Sequence, residues 1–136
     1  METNKKRSEC PLSRSLDIFG DKWSLLIIRD LLFYKKGTYN DFLKSEEGIA
    51  TNILASRLKA LEENGIIEKS AHPESKAKNL YRLSNKGIDL LPMIMEIYIW
   101  SDKYFTMPLE VKQIIIEAKK DKDNFVKQIV KELTDQ

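Results

Sequence analysis

The chain has 136 residues, 42% of them hydrophobic and 32% charged, with a formal net charge of +2. That length and balance suit one ordinary globular domain, and near-neutrality means that any nucleic-acid role must rest on where the charges sit. One cysteine excludes an internal disulfide framework, and one histidine leaves too few soft ligands for a zinc site.

Residues 1–9 read as a polar, mobile arm. Lys5, Lys6 and Arg7 precede no apolar run, so no signal peptide is expected. Cys10-Pro11 resembles a helix start, because the first helical position does not need the N–H that proline lacks. Leu12, Leu16 and Phe19 share one face of this helix, and Gly20 stops it. Asp21 can cap the next helix, where Trp23, Leu26, Ile27, Leu31 and Leu32 follow helical spacing. Its expected end is Lys35-Lys36-Gly37, with cations at the negative end of the dipole and a glycine after it. Thr38 caps a third helix containing Tyr39, Phe42 and Leu43, and Ser45–Gly48 forms the turn.

A fourth helix is predicted from Ala50 or Thr51 to Asn64, stopped by Gly65. Leu58 and Leu61 fall within about 40° of Leu54 around it. Asn52, Ser56, Lys59 and Glu63 lie opposite. Ile66–His72 and Asn79–Leu83 are short enough for strands, around a polar loop from Pro73 to Lys78. Ser84 caps a fifth helix, in which twelve of the eighteen residues from Ile88 to Phe105 are apolar, on every side. Such a helix must be buried all round, and a second chain is its natural cover. Pro92 is expected to bend it. Leu90–Trp100, the most apolar run, is interrupted by Glu96 and too short to span a bilayer, so a soluble, cytoplasmic protein is expected. Residues 106–136 carry six basic and six acidic side chains. They read as one or two amphipathic helices with a break near Lys119–Lys122.

Helix, tight turn, helix, hairpin and helix is the order of a winged helix-turn-helix. The expected fold is therefore mainly α with a small β-hairpin wing. DNA readout needs a helix N-terminus carrying short hydrogen-bonding side chains, with cations for phosphates. Thr51, Asn52, Ser56 and Lys59 supply these, and Arg57 flanks them within reach of a phosphate or an acidic neighbour. From Lys69 to Arg82 there are four cations and one anion, a local balance of +3. Lys76 and Lys78 in the hairpin loop suit sequence-independent phosphate contact. Trp23 and Trp100 read as core or interface aromatics and His72 as a solvated or phosphate-facing residue. No nucleophile elbow, phosphate loop or metal-ligand spacing occurs, so neither enzymatic activity nor a cofactor is expected.

Several motifs resemble those of the HxlR-type winged helix-turn-helix transcriptional regulators, a MarR-like family. They are Cys10-Pro11, Gly20-Asp21-Lys22-Trp23, the block from Gly48 to Leu58, Leu61–Ile67, Tyr81–Ser84, and Leu91-Pro92 followed by Trp100. The resemblance covers roughly residues 9–105, so 10–105 is expected to be the winged-helix domain, after the arm over 1–9; the helical extension over 106–136 lies past the family's pattern, which says little about it. It implies a homodimer, joined through terminal helices, on a pseudo-palindromic operator in double-stranded DNA. Some members sense electrophiles or oxidants through a cysteine at the place of Cys10. A thiol at a helix N-terminus near Lys5, Lys6, Arg7 and Arg14 can have a lowered pKa; alternatively Cys10 simply packs at the helix entry. The competing functional reading is a winged-helix protein-interaction module, against which the polar face of Asn52, Ser56 and Lys59 argues.

Overall fold

A computed structural model describes residues 6–135. The described elements run α1 (Pro11–Phe19), α2 (Ser24–Phe33), α3 (Tyr39–Leu43), α4 (Thr51–Glu63), β1 (Ile67–His72), β2 (Ser75–Leu83), α5 (Asn85–Ile88), α6 (Leu91–Asp102), α7 (Leu109–Lys120) and α8 (Lys122–Thr134). They form two compact units, one reaching to Gly87 and one starting at Ile88. Lys5, and with it most of the expected N-terminal arm, lies outside the described residues. Within the arm's remainder, Arg7 pairs with Asp17 of α1 at 2.9 Å and Lys6 with Glu9 at 2.5 Å.

In the first unit α2 supplies Ile27, Ile28, Leu31 and Leu32 to the core, α3 supplies Phe42, and α4 supplies Leu54, Leu58 and Leu61, all buried. The expected apolar stripe of α4 is thus the face that holds it down. α3 starts with a capping box, in which the Thr38 hydroxyl accepts from the Asp41 N–H while the Asp41 carboxylate accepts from the Thr38 N–H. α4 ends in a Schellman motif: Gly65 (φ 74°) follows the C-cap Asn64, the Ile66 N–H donates to the Leu61 carbonyl and the Gly65 N–H to that of Glu62. The second unit packs α6 on α7 and α7 on α8, and Asp102 accepts from both Lys112 and Lys119.

Three details differ from the sequence expectation. α2 closes at Tyr34, and the left-handed residue after it is Lys35 (φ 53°) rather than a glycine. The Lys36 N–H returns to the Asp30 carbonyl at 3.3 Å. Gly37 serves another need. Its carbonyl accepts from the Tyr81 N–H at 2.7 Å, and a Cβ there would lie 2.8 Å from Leu80 Cδ1. Lys35→Gly should therefore raise the urea midpoint, because a left-handed L-residue costs roughly 1–2 kcal/mol and glycine's unfolded-state entropy offsets only part of that. A lower midpoint would contradict the backbone assignment at Lys35.

The hairpin is longer than expected. Pro73-Glu74 alone forms the turn, and a bulge between Ala71 and His72 lets His72 pair with Ser75. The Glu74 N–H donates to His72 Nδ1 at 3.1 Å, which tightens that turn. Lys76 and Lys78 consequently lie on strand β2, not in a loop. Finally, the expected long fifth helix is two helices, broken at Asp89-Leu90. A continuous helix would lack the Pro92 N–H and crowd the carbonyl four residues back. Placing Pro92 in the first turn of α6 avoids both costs, so proline starts this helix rather than bending it. The tail breaks at Asp121, whose side chain accepts from the Asn124 N–H and caps α8.

Candidate nucleic-acid interface

The first unit holds α4 by its buried leucines and by polar ties at its start, middle and end. At the start, the Arg29 guanidinium donates to both carboxylate oxygens of Glu47 at 2.6 and 2.9 Å and to Asp30 Oδ1 at 2.8 and 3.1 Å. Asp30, buried within α2, also accepts from the Ser45 hydroxyl, which in turn accepts from Lys36 Nζ. The turn between α3 and α4 is thereby fastened to α2. This fork pushes the Arg29 pKa up and holds the Glu47 carboxyl below its ordinary range.

The Tyr39 hydroxyl donates to the Thr51 carbonyl at 2.7 Å and braces the first turn of α4. Farther along, Arg57 Nη1 lies 3.6 Å from Asp21 Oδ1, so this arginine faces the acidic neighbour. Asp21 itself accepts from the Trp23 and Ser24 N–H groups at 2.9 and 3.0 Å and from the Ser24 hydroxyl at 2.5 Å; it binds the start of α2 from the turn before it, while the N-cap residue is Trp23 rather than Asp21 as expected. Burial works against its ionisation, but those bonds and the charge of Arg57 outweigh burial and hold the carboxyl below its ordinary value. At the far end Lys86 Nζ donates to the Asn64 carbonyl, while the Ser84 hydroxyl donates to the Gly65 carbonyl and accepts from the Gly87 N–H.

Thr51, Asn52, Ser56 and Lys59 are exposed on the outward side of α4. The pairing passes from Ala71–Asn79 to His72–Ser75, so Lys76 and Lys78 lie, both exposed, in the irregular part of β2; beyond it Arg82 is exposed and Tyr81 lies on the other face against Phe42. Lys69 sits 4.0 Å from Glu62 and so faces α4. Among the described residues no group of His, Cys, Asp or Glu could hold a metal.

Cys10 is exposed at the N-cap of α1, not packed into the helix entry. The backbone N–H groups of Ser13 and Leu12 lower its pKa from 9.0. Among the described residues the helix start favours the thiolate, and Lys6 and Arg7 are paired with carboxylates.

Sequence reasoning did not find the Arg29–Asp30–Ser45–Glu47 network. Its signal was available: a charged pair inside the apolar run of α2 must find partners if that helix is core.

Residues 18–108 match the HxlR-like helix-turn-helix family. The chain belongs to that family. It is similar to YdeP of Bacillus subtilis (strain 168), an uncharacterized HTH-type transcriptional regulator, with 33% identity over 95 residues, 70% of this chain and 73% of YdeP. It is 32% identical over 96 residues to YodB, an HTH-type transcriptional regulator of the same organism, covering 70% of this chain and 85% of YodB. The crystal structure of PA1607 superposes with a TM-score of 0.67 at 41% identity, over 76% of this chain and 71% of that one. Reduced YodB gives a TM-score of 0.58 at 30% identity, over 71% and 95% of the two chains. YodB has also been solved quinone-bound and diamide-treated. The chain is accordingly an HxlR-type DNA-binding transcriptional regulator with a winged-helix fold, and not an enzyme. None of its described helices is long and apolar enough to cross a membrane.

Proposed function

We propose that this HxlR-type regulator binds a pseudo-palindromic operator as a homodimer in the cytoplasm, with α4 reading bases and the hairpin gripping phosphates. The exposed, short polar face at the start of an otherwise anchored α4 carries this reading. Thr51, Asn52 and Ser56 can meet base edges in the major groove, and Lys59 can meet a phosphate. Lys76 and Lys78 face the flanking backbone from β2. The homodimer accounts for apolar side chains left uncovered on each unit: Leu12 and Leu16 on α1, Ile97 and Trp100 on α6. On this reading residues 10–105 act as the DNA-binding and pairing domain, after an arm over 1–9 and before an extension over 106–136.

The salt dependence of binding tests the wing. Lys76→Ala with Lys78→Ala removes two cations from each copy, so it should weaken affinity for every duplex alike and lower the slope of log affinity against log salt by roughly 3 to 4. An unchanged slope would remove both lysines from the contact.

We further infer that Cys10 tunes DNA binding by reacting with electrophiles or oxidants. Its exposure and helix-start position support this, as do the quinone-bound and diamide-treated forms of the relative YodB. Because the thiol's pKa is lowered, its alkylation by iodoacetamide should reach half-maximal rate below the ordinary free-thiol value of about pH 8.5. A midpoint at or above that value, with DNA affinity unchanged by diamide, would sink the sensor role.

A further inference from the structure

We propose that Arg29 and Arg57 are positioning residues for DNA readout: they fix α4 against α2 and leave phosphate contact to the lysines. This rests on the DNA-binding reading above. An arginine beside a recognition helix would ordinarily be assigned to the phosphate backbone, but the geometry assigns these two elsewhere. Arg29 spends Nε and both Nη atoms on Asp30 and Glu47. Its side chain is only 17% exposed. A phosphate would have to displace a bidentate carboxylate to reach it. Glu47 stands just ahead of Ala50, the N-cap of α4, so this fork fixes where the helix enters.

Arg57 makes the second tie. Nη1 faces Asp21, a carboxylate already held in place by two N–H groups and a hydroxyl at the start of α2. Its Nη2 donates to Ser56 Oγ at 3.2 Å. Arg57 therefore joins α4 to α2 and also orients a side chain proposed to read bases. With one tie at its entrance and one at its middle, α4 cannot swing about its leucine stripe without breaking an ion pair. Base readout depends on angle and depth within the groove, whereas phosphate attraction tolerates both.

The two roles leave different marks. Losing a phosphate contact lowers the salt slope by about 0.9, while losing a positioning contact lowers sequence preference and leaves the slope alone. The wild-type protein is first used to select a duplex from a random 30-bp library. Affinities for that duplex and for random-sequence duplex are then measured across salt concentrations for wild type, Arg57→Gln, Arg29→Lys, Glu47→Gln and Lys59→Ala. Arg57→Gln, Arg29→Lys and Glu47→Gln should each lower the preference for the selected duplex by about tenfold, with an unchanged slope on random duplex. Lys59→Ala should lower that slope by about two, one contact from each copy.

Glu47→Gln removes no cation, and retained binding to random duplex reports that the fold is intact. A slope loss of about two in Arg57→Gln, one contact from each copy, would overturn the positioning role, as would a preference that stays within about twofold of wild type in Glu47→Gln. If the wild-type protein selects no sequence at all, the DNA-binding reading itself fails, and this inference with it.

Discussion

Leu54→Ala should destabilise the first unit by about 2–5 kcal/mol, read as a lower urea midpoint with a similar slope. Leu54 is fully buried, and Leu58 and Leu61 continue its stripe. Truncation would remove three carbons from a fully buried position, and relaxation would close only part of the cavity. Against a total stability of about 5–15 kcal/mol, that is a large fraction. Ala55→Ser, one residue along on the exposed side, should change stability by less than about 0.5 kcal/mol. The contrast matters because the same helix must be rigidly seated on one side and free on the other. If both substitutions cost the same, the orientation given to α4 is wrong.

Asn52→Ala should lower discrimination between operator and random duplex by roughly ten- to hundredfold, since a bidentate side chain–base pair contributes about 1–3 kcal/mol of discrimination. Affinity for random duplex should hardly move, because asparagine carries no charge to neutralise a phosphate. In a homodimer both copies lose the contact, so the observed loss should lie toward the upper end of that range. Equal losses on operator and random duplex would place Asn52 outside the base-reading surface.

Much of this architecture was legible from local chemistry. Thr38 reads as a helix cap, and Gly65 marks a helix stop that a left-handed residue makes. Leu54, Leu58 and Leu61 lie at helical spacing, so which side of α4 faces out followed directly. What escaped depended on partners distant in sequence or on competition between two acceptable local structures. Pro92 is compatible with a kink or with a first turn, and the apolar residues on both sides of it do not choose between them. Lys76 and Lys78 look like loop residues because a strand exposed on one face can be polar there; only the pairing of His72 with Ser75 shows that the ladder continues. Lys35 in a left-handed position ran against propensity, with the neighbouring glycine reserved for the close approach of β2. The Arg29–Glu47 fork joins residues eighteen positions apart, beyond any helical period. Candidate contacts on α4 were visible from sequence, but the direction taken by Arg57 was not.

The central claim is that two copies of α4 enter the major groove of one operator. Dimethyl sulfate interference tests it directly, because the reagent marks guanine N7 in the major groove and adenine N3 in the minor groove. On the duplex selected by the wild-type protein, methylated guanines should block binding in two clusters about 10 bp apart, one for each α4. Interference confined to adenine N3, or a single cluster with no counterpart one turn away, would contradict the account.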